Sequence, residues 1–97
     1  MKINKQQLSE LCKQHNVLRL YLFGSFAKNT ETEQSDIDFL VKFNDVELYY
    51  YFDNYLSLKE NLERIYQRKV DLLEEQTVKN PFLEQSINQS KILIYGQ

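Results

Sequence analysis

The chain has 97 residues, with 12 basic and 14 acidic side chains that give a net charge of −2, and 42% of its residues are hydrophobic. That length predicts one domain spanning residues 1–97, with enough apolar side chains for a packed core. The near-neutral charge argues against a protein held mainly by nucleic-acid phosphates, and no apolar run approaches the roughly 20 residues of a membrane span, so we expect neither as a direct partner.

The first segment, residues 4–16, predicts an amphipathic helix whose buried face carries Leu8, Leu11 and Cys12. A polar N-terminus without the apolar stretch of a signal peptide, together with a single cysteine, favours a cytoplasmic location. With one cysteine and one histidine, His15, the chain cannot build a Cys/His zinc site. A bound metal must therefore be a hard cation held by oxygen ligands.

A strand and a tight turn follow the helix. Residues 17–23 are largely apolar, which predicts an interior strand. Gly24 and Ser25 end this strand abruptly, residues 26–28 open a short helix, and the polar residues 29–35 form a loop.

The next strand, residues 36–43, alternates in character. One face carries Asp36, Asp38 and Leu40, and the other face carries four apolar side chains, those of Ile37, Phe39, Val41 and Phe43. This alternation predicts one buried face and one face that displays the two carboxylates.

The second half of the chain predicts two helices and two strands. A long helix covers residues 46–67, residues 70–73 form a strand, a helix capped by Asn80 covers residues 81–89, and residues 91–95 form a short strand or extended segment. The buried stripe of the long helix is expected to comprise Leu48, Tyr51, Phe52, Tyr55, Leu58, Leu62, Ile65 and Tyr66. Alternating helices and strands predict an α/β fold, a small mixed sheet with helices packed on it.

The turn at Gly24 and Ser25 has the character of a phosphate site. A helix N-terminus offers unpaired N–H groups and the positive end of the helix dipole. Gly24 permits close approach of the backbone to a ligand, and the Ser25 hydroxyl can donate to a phosphate oxygen.

Three carboxylates add to this signal. Asp36 and Asp38 point to the same side of a strand, about 6.6 Å apart along the chain, so they repel each other unless cations lie between them. Asp71 lies in another strand and joins them if the two strands are neighbours. Three carboxylates, divalent ions and a triphosphate together describe two-metal phosphoryl transfer.

Each motif alone also fits a simpler interpretation. Asp36 could simply belong to a turn or a helix cap, and Asp71 could pair with Arg68 or Lys69. The combination in this order, with 11 residues from Ser25 to Asp36, favours phosphoryl-transfer chemistry.

These motifs resemble the minimal nucleotidyltransferase (MNT) domain of the DNA polymerase β-like nucleotidyltransferase superfamily. The resemblance rests on the Gly24-Ser25 turn, the Asp36-x-Asp38 pair and the later Asp71, and it covers nearly the whole chain. It implies the polymerase β-like nucleotidyltransferase fold.

The chain departs from the family pattern at one place. The turn commonly reads Gly-Ser-x-Ala-Arg-Gly, whereas Lys28 and Asn29 stand here for the Arg and the Gly. Lys28 keeps the positive charge for a phosphate contact but loses the bidentate fork. Asn29 tolerates the left-handed backbone better than most residues, so the turn can survive.

The resemblance also implies a role for each site residue. Asp36, Asp38 and Asp71 would be the catalytic residues and would bind Mg²⁺, as two ions, and Asp71 would accept the proton of an attacking hydroxyl. Gly24 and Ser25 would hold the β- and γ-phosphates of ATP. Attack at the α-phosphate would transfer a nucleoside monophosphate and release pyrophosphate.

By the same resemblance, stand-alone bacterial MNT proteins serve as antitoxins of HEPN-domain toxins, and some adenylylate a tyrosine of the toxin. We therefore expect an antitoxin that transfers AMP from ATP to a tyrosine of a HEPN toxin and forms a hetero-oligomer with it. An alternative is an antitoxin that works by binding alone. Tyr49 and Tyr50 favour it, since they fall outside the predicted buried stripe and exposed tyrosines are enriched at interfaces. Another alternative is a small-molecule nucleotidyltransferase.

Overall fold

The structure is a computed structural model that describes residues 3–97. Its centre is a four-stranded sheet formed by β1 (Val17–Phe23), β2 (Ile37–Phe43), β3 (Val70–Glu74) and β4 (Ile92–Gly96) in the order β3-β2-β1-β4. β1 runs antiparallel to both of its neighbours, and β2 runs parallel to β3. The predicted mixed sheet is confirmed.

Four helices accompany the sheet: α1 (Lys5–Gln14), α2 (Ser25–Lys28), α3 (Leu48–Tyr66) and α4 (Pro81–Ser90). A 3-10 turn, Glu75–Thr77, follows β3. None of the helices in residues 3–97 is long and apolar enough to cross a membrane.

The helix starts follow from their capping residues. The Asn4 side chain accepts a hydrogen bond from the Gln7 N–H at the start of α1. The Asn80 side chain accepts from the N–H groups of Phe82 and Leu83, which confirms the predicted cap of α4. These acceptors satisfy N–H groups that have no partner inside the helix.

The main core lies between one face of the sheet and helices α1 and α3. Alternate strand residues point into it, which confirms the predicted polarity of β2, and the main-core residues are Leu8, Leu11, Cys12, Val17, Leu20, Leu22, Phe26, Ile37, Phe39, Val41, Leu58, Leu62, Val70 and Leu72. A smaller cluster of Phe23, Leu40 and Ile87 packs α4 against the opposite face. Asp38 belongs to that opposite face, because it lies between the inward-facing Ile37 and Phe39.

The buried stripe predicted for α3 is wrong at its N-terminal end. Leu48 is 90% exposed and Phe52 is 66% exposed. Tyr51 stacks edge-to-face on Phe43, the last residue of β2, with ring centres 5.5 Å apart. The first turn of α3 therefore lies at the end of β2, whereas Leu58, farther along the helix, is fully buried.

Candidate active site

The strand register brings the predicted site residues together at one end of the strands, where β1 ends and β2 and β3 begin. Asp38 of β2 pairs with Phe23, the last residue of β1, so Gly24 and Ser25 follow directly beside it. On the other side, Asp38 pairs in register with Asp71 of the parallel strand β3. Asp36 lies just before β2. We call Gly24, Ser25, Asp36, Asp38 and Asp71 the carboxylate edge.

Gly24 is required by the packing at this edge. Its backbone has φ +73° and ψ −150°, a conformation that L-residues rarely adopt. A Cβ atom at this position would lie 2.3 Å from Oδ2 of Asp38. The glycine therefore lets the chain turn within van der Waals distance of the carboxylate.

Asp38 is the most enclosed of the three carboxylates. Burial raises its pKa above the ordinary aspartate value, and the negative charges of Asp71 and Asp36 raise it further. Asp36 and Asp71 are therefore close enough for their charges to act on Asp38. Asp71, in contrast, is exposed, because β3 is an edge strand and Asp71 lies between the inward-facing Val70 and Leu72.

No three carboxylate, imidazole or thiol side chains within residues 3–97 are arranged so that they could already hold a metal ion. Like charges favour side-chain rotamers that keep carboxylates apart. The metal-binding role of Asp36, Asp38 and Asp71 stays a prediction. Their chemistry fits Mg²⁺, which prefers oxygen ligands, and a cation between them would offset the repulsion that raises the pKa of Asp38.

The turn after Gly24 keeps its shape despite the departures from the family pattern. Asn29 adopts the left-handed conformation, with φ 58°, as expected for an asparagine in place of glycine. The Thr30 N–H donates to the carbonyl oxygen of Ser25 at 2.9 Å. Lys28 is exposed at the end of α2, and Ser25 is half-buried at its start.

Two further residues, Ser90 and Arg68, contact this part of the molecule, and neither belongs to a sequence motif. The Gly24 N–H donates to Oγ of Ser90, at the end of α4, over 3.2 Å. Arg68 donates to backbone carbonyls of the loop before β2. Within residues 3–97, neither Arg68 nor Lys69 forms a salt bridge with Asp71, so that simpler interpretation of Asp71 is wrong. Both contacts join distant parts of the chain, and no spacing or periodicity indicates them.

Comparisons with known proteins agree with this architecture. A family model described as polymerase beta, nucleotidyltransferase, matches residues 6–97. A protein of Methanocaldococcus jannaschii described as a candidate protein adenylyltransferase is 41% identical over 80 residues, which cover 82% of this chain and 79% of that protein.

Solved structures show the same fold. A candidate minimal nucleotidyltransferase is 28% identical and superposes with a TM-score of 0.73 over 91% of this chain and 86% of that one. The MNT antitoxin fold also appears in a complex with the tri-AMPylated HEPN toxin of Shewanella oneidensis, where the match is 21% identical with a TM-score of 0.64 and covers 97% of this chain and 71% of that one. The chain therefore belongs to the polymerase beta nucleotidyltransferase family, which confirms the predicted fold and the predicted enzyme class.

Proposed function

We propose that this nucleotidyltransferase is an antitoxin that transfers AMP from ATP to a tyrosine hydroxyl of a HEPN-domain toxin, in a reaction that requires Mg²⁺. The observation that carries the proposal is the strand register, which sets Asp38 opposite Asp71 and beside Gly24. The archaeal relative described as a protein adenylyltransferase supports protein as the acceptor class. The complex of an AMPylated HEPN toxin with an MNT antitoxin supports the partner.

Lys28 and the residues of the carboxylate edge would each have a part in the reaction. Gly24, Ser25 and Lys28 would bind the phosphates of ATP. The tyrosine oxygen would form a bond to the α-phosphorus while the bond from that phosphorus to the pyrophosphate oxygen breaks. Asp71 would accept the tyrosine proton, since its carboxylate is exposed beside Asp38. Bound Mg²⁺ would supply positive charge to the phosphate oxygens.

Access to the edge suits a large acceptor. Asp36 and Asp71 are both exposed, although α4 packs on the face of the sheet to which Asp38 belongs. A tyrosine side chain presented by another protein can therefore reach the carboxylates. This openness favours a protein acceptor over a small molecule, which enzymes usually enclose in a pocket.

A transfer assay tests this proposal. The protein, its HEPN partner, Mg²⁺ and ATP labelled at the α-phosphate are incubated together, and the label on the partner is measured. We expect the partner to be labelled by the wild type and not by the Asp36→Asn/Asp38→Asn variant. Label that persists with this variant would remove the carboxylates from the mechanism.

A second function, neutralisation by binding alone, draws on the exposed start of α3. We call Leu48, Tyr49, Tyr50 and Phe52 the aromatic patch; Tyr49 is 85% exposed and stacks edge-to-face on Tyr50 at 4.9 Å. Exposed aromatic clusters of this kind mark protein interfaces. Asp36 precedes β2 and the patch follows its end, so a partner held by the patch would leave the carboxylate edge free.

Two variants separate binding from catalysis. Tyr49→Ala/Tyr50→Ala should weaken the complex with the partner at least about tenfold in a titration, because two contact rings are lost. Glu60→Ala, an exposed change farther along α3, should leave the affinity unchanged. If the Asp36→Asn/Asp38→Asn variant still neutralises the partner in a growth assay, binding alone suffices; our proposal predicts that it binds but does not neutralise.

A further inference from the structure

Arg68, just after the end of α3, donates hydrogen bonds to the loop that leads into β2. Its Nη1 atom donates to the backbone carbonyls of Thr32 at 3.0 Å, Glu33 at 3.2 Å and Ser35 at 2.9 Å. The guanidinium carbon also lies 5.0 Å from the ring centre of Phe26, in cation–π geometry. The side chain therefore touches two segments that are far from it in sequence.

The backbone around Arg68 is fixed on both sides of the contact. The Val70 N–H donates to the Glu63 carboxylate at 3.0 Å, which ties the start of β3 to the last turns of α3. The Ile37 N–H donates to the Lys69 carbonyl at 3.0 Å, which ties the start of β2 to the same turn. These two hydrogen bonds hold the backbone from which the Arg68 side chain extends to the loop.

Each contact of Arg68 ends next to a member of the carboxylate edge. The loop to which it donates hydrogen bonds leads directly into Asp36, and Phe26 is the neighbour of Ser25 in the sequence. Arg68 itself lies three residues before Asp71. We propose that Arg68 is a positioning residue that holds the phosphate-binding turn and the three carboxylates in one fixed arrangement.

The chemistry of the contact requires arginine. The guanidinium presents several N–H groups in one plane and stacks on an aromatic ring with its face. A lysine ammonium can donate to carbonyls but cannot also stack as a plane. Arg68→Lys should therefore retain part of the effect, and Arg68→Met, which keeps only the apolar stem, should lose it.

The expected consequence is a looser loop and a misplaced Asp36. Displacing a catalytic group by a fraction of an ångström to an ångström lowers rates by up to about 100-fold. Substituting a residue that orients a metal ligand through a hydrogen bond typically lowers metal affinity or activity by about 10–100-fold. For Arg68→Met we expect kcat to fall within that range while KM for ATP changes less, because the turn at Gly24 and Ser25 keeps its hydrogen bonds with Ser90 and Thr30.

The test combines transfer kinetics with backbone hydrogen exchange over residues 29–37. Arg64→Met is the matched control, since Arg64 is exposed on α3 and its guanidinium donates a hydrogen bond to Asn61 of the same helix. We expect Arg68→Met to exchange about tenfold faster over this segment than the wild type, with Arg68→Lys between them and Arg64→Met unchanged. Thermal unfolding of each variant shows that the measurements are made on folded protein.

The inference rests on the proposed function for its kinetic arm only. If the wild type transfers no nucleotide, the proposed function fails, and exchange over residues 29–37 still decides whether Arg68 holds the loop. If folded Arg68→Met keeps the wild-type kcat and the wild-type exchange, the positioning role is overturned. Should Arg68→Met fail to fold, the same two measurements on Arg68→Lys decide in the same way.

Discussion

At the residue scale, Gly24 is where the turn and the carboxylates meet. The sequence indicates this residue because glycine is rare in the chain, with only two, and because it separates an apolar strand from a serine. Its contact with Asp38 cannot be read from the sequence, since it depends on the antiparallel pairing of β1 with β2. The hydrogen bond to Ser90 is equally hidden, because α4 carries no signal that it ends beside this turn.

A substitution at Gly24 tests that contact. Gly24→Ala places a methyl group 2.3 Å from the Asp38 carboxylate and imposes a backbone conformation that alanine disfavours. We expect the free energy of unfolding, from urea denaturation, to fall by roughly 2 kcal/mol. In an Asp38→Ala background the loss should be smaller, because the carboxylate is gone. Equal losses in both backgrounds would show that the contact with Asp38 does not set the cost.

At the element scale, the limits of sequence-based prediction are clearest in α3. Helical spacing predicts the helix and its buried residues Leu58 and Leu62, but the same spacing continues into Leu48 and Phe52, which are exposed. Periodicity reports which face of a helix is apolar and not where the sheet beneath it ends. These two exposed residues form half of the aromatic patch, and Tyr49 and Tyr50 form the other half.

The face of the sheet that packs against α4 also holds an ion pair between two elements that are not neighbours. Arg19 of β1 donates through Nε and Nη2 to both carboxylate oxygens of Glu75, in the turn after β3, at 2.8 and 2.6 Å. The bond spans β2, which lies between those two strands. The hydrogen bond from Arg19 lowers the pKa of Glu75 below the ordinary glutamate value.

This ion pair predicts a pH-dependent contribution to stability. A carboxylate with a lowered folded-state pKa stabilises the fold above its unfolded pKa, and that stabilisation is lost as pH falls through the folded value. Glu75→Gln should cost about 0.5–1 kcal/mol at pH 7, a modest value because both side chains are partly exposed. The difference from wild type should stay constant down to about pH 5 and shrink below it. A difference that grows on acidification would contradict the assignment.

At the scale of the whole molecule, the sheet order makes the site. Four residues of the carboxylate edge follow from motifs around β1 and β2, whereas Asp71 joins them only because β3 lies parallel to β2 and in register. Apolar residues that pair across these strands, such as Ile37 with Val70 and Phe39 with Leu72, fix that register. The resemblance to the MNT family predicts the neighbourhood, and no local pattern in the sequence does.

We propose above all that the carboxylate edge transfers an adenylyl group to a protein partner. The most direct test of this proposal is the intact mass of the HEPN partner after incubation with the wild-type protein, ATP and Mg²⁺. We predict a mass gain of one or more adenylyl groups, release of one pyrophosphate for each, and no gain with the Asp36→Asn/Asp38→Asn variant. A partner that forms the complex but keeps its mass, or that gains a phosphoryl group instead, would contradict the account.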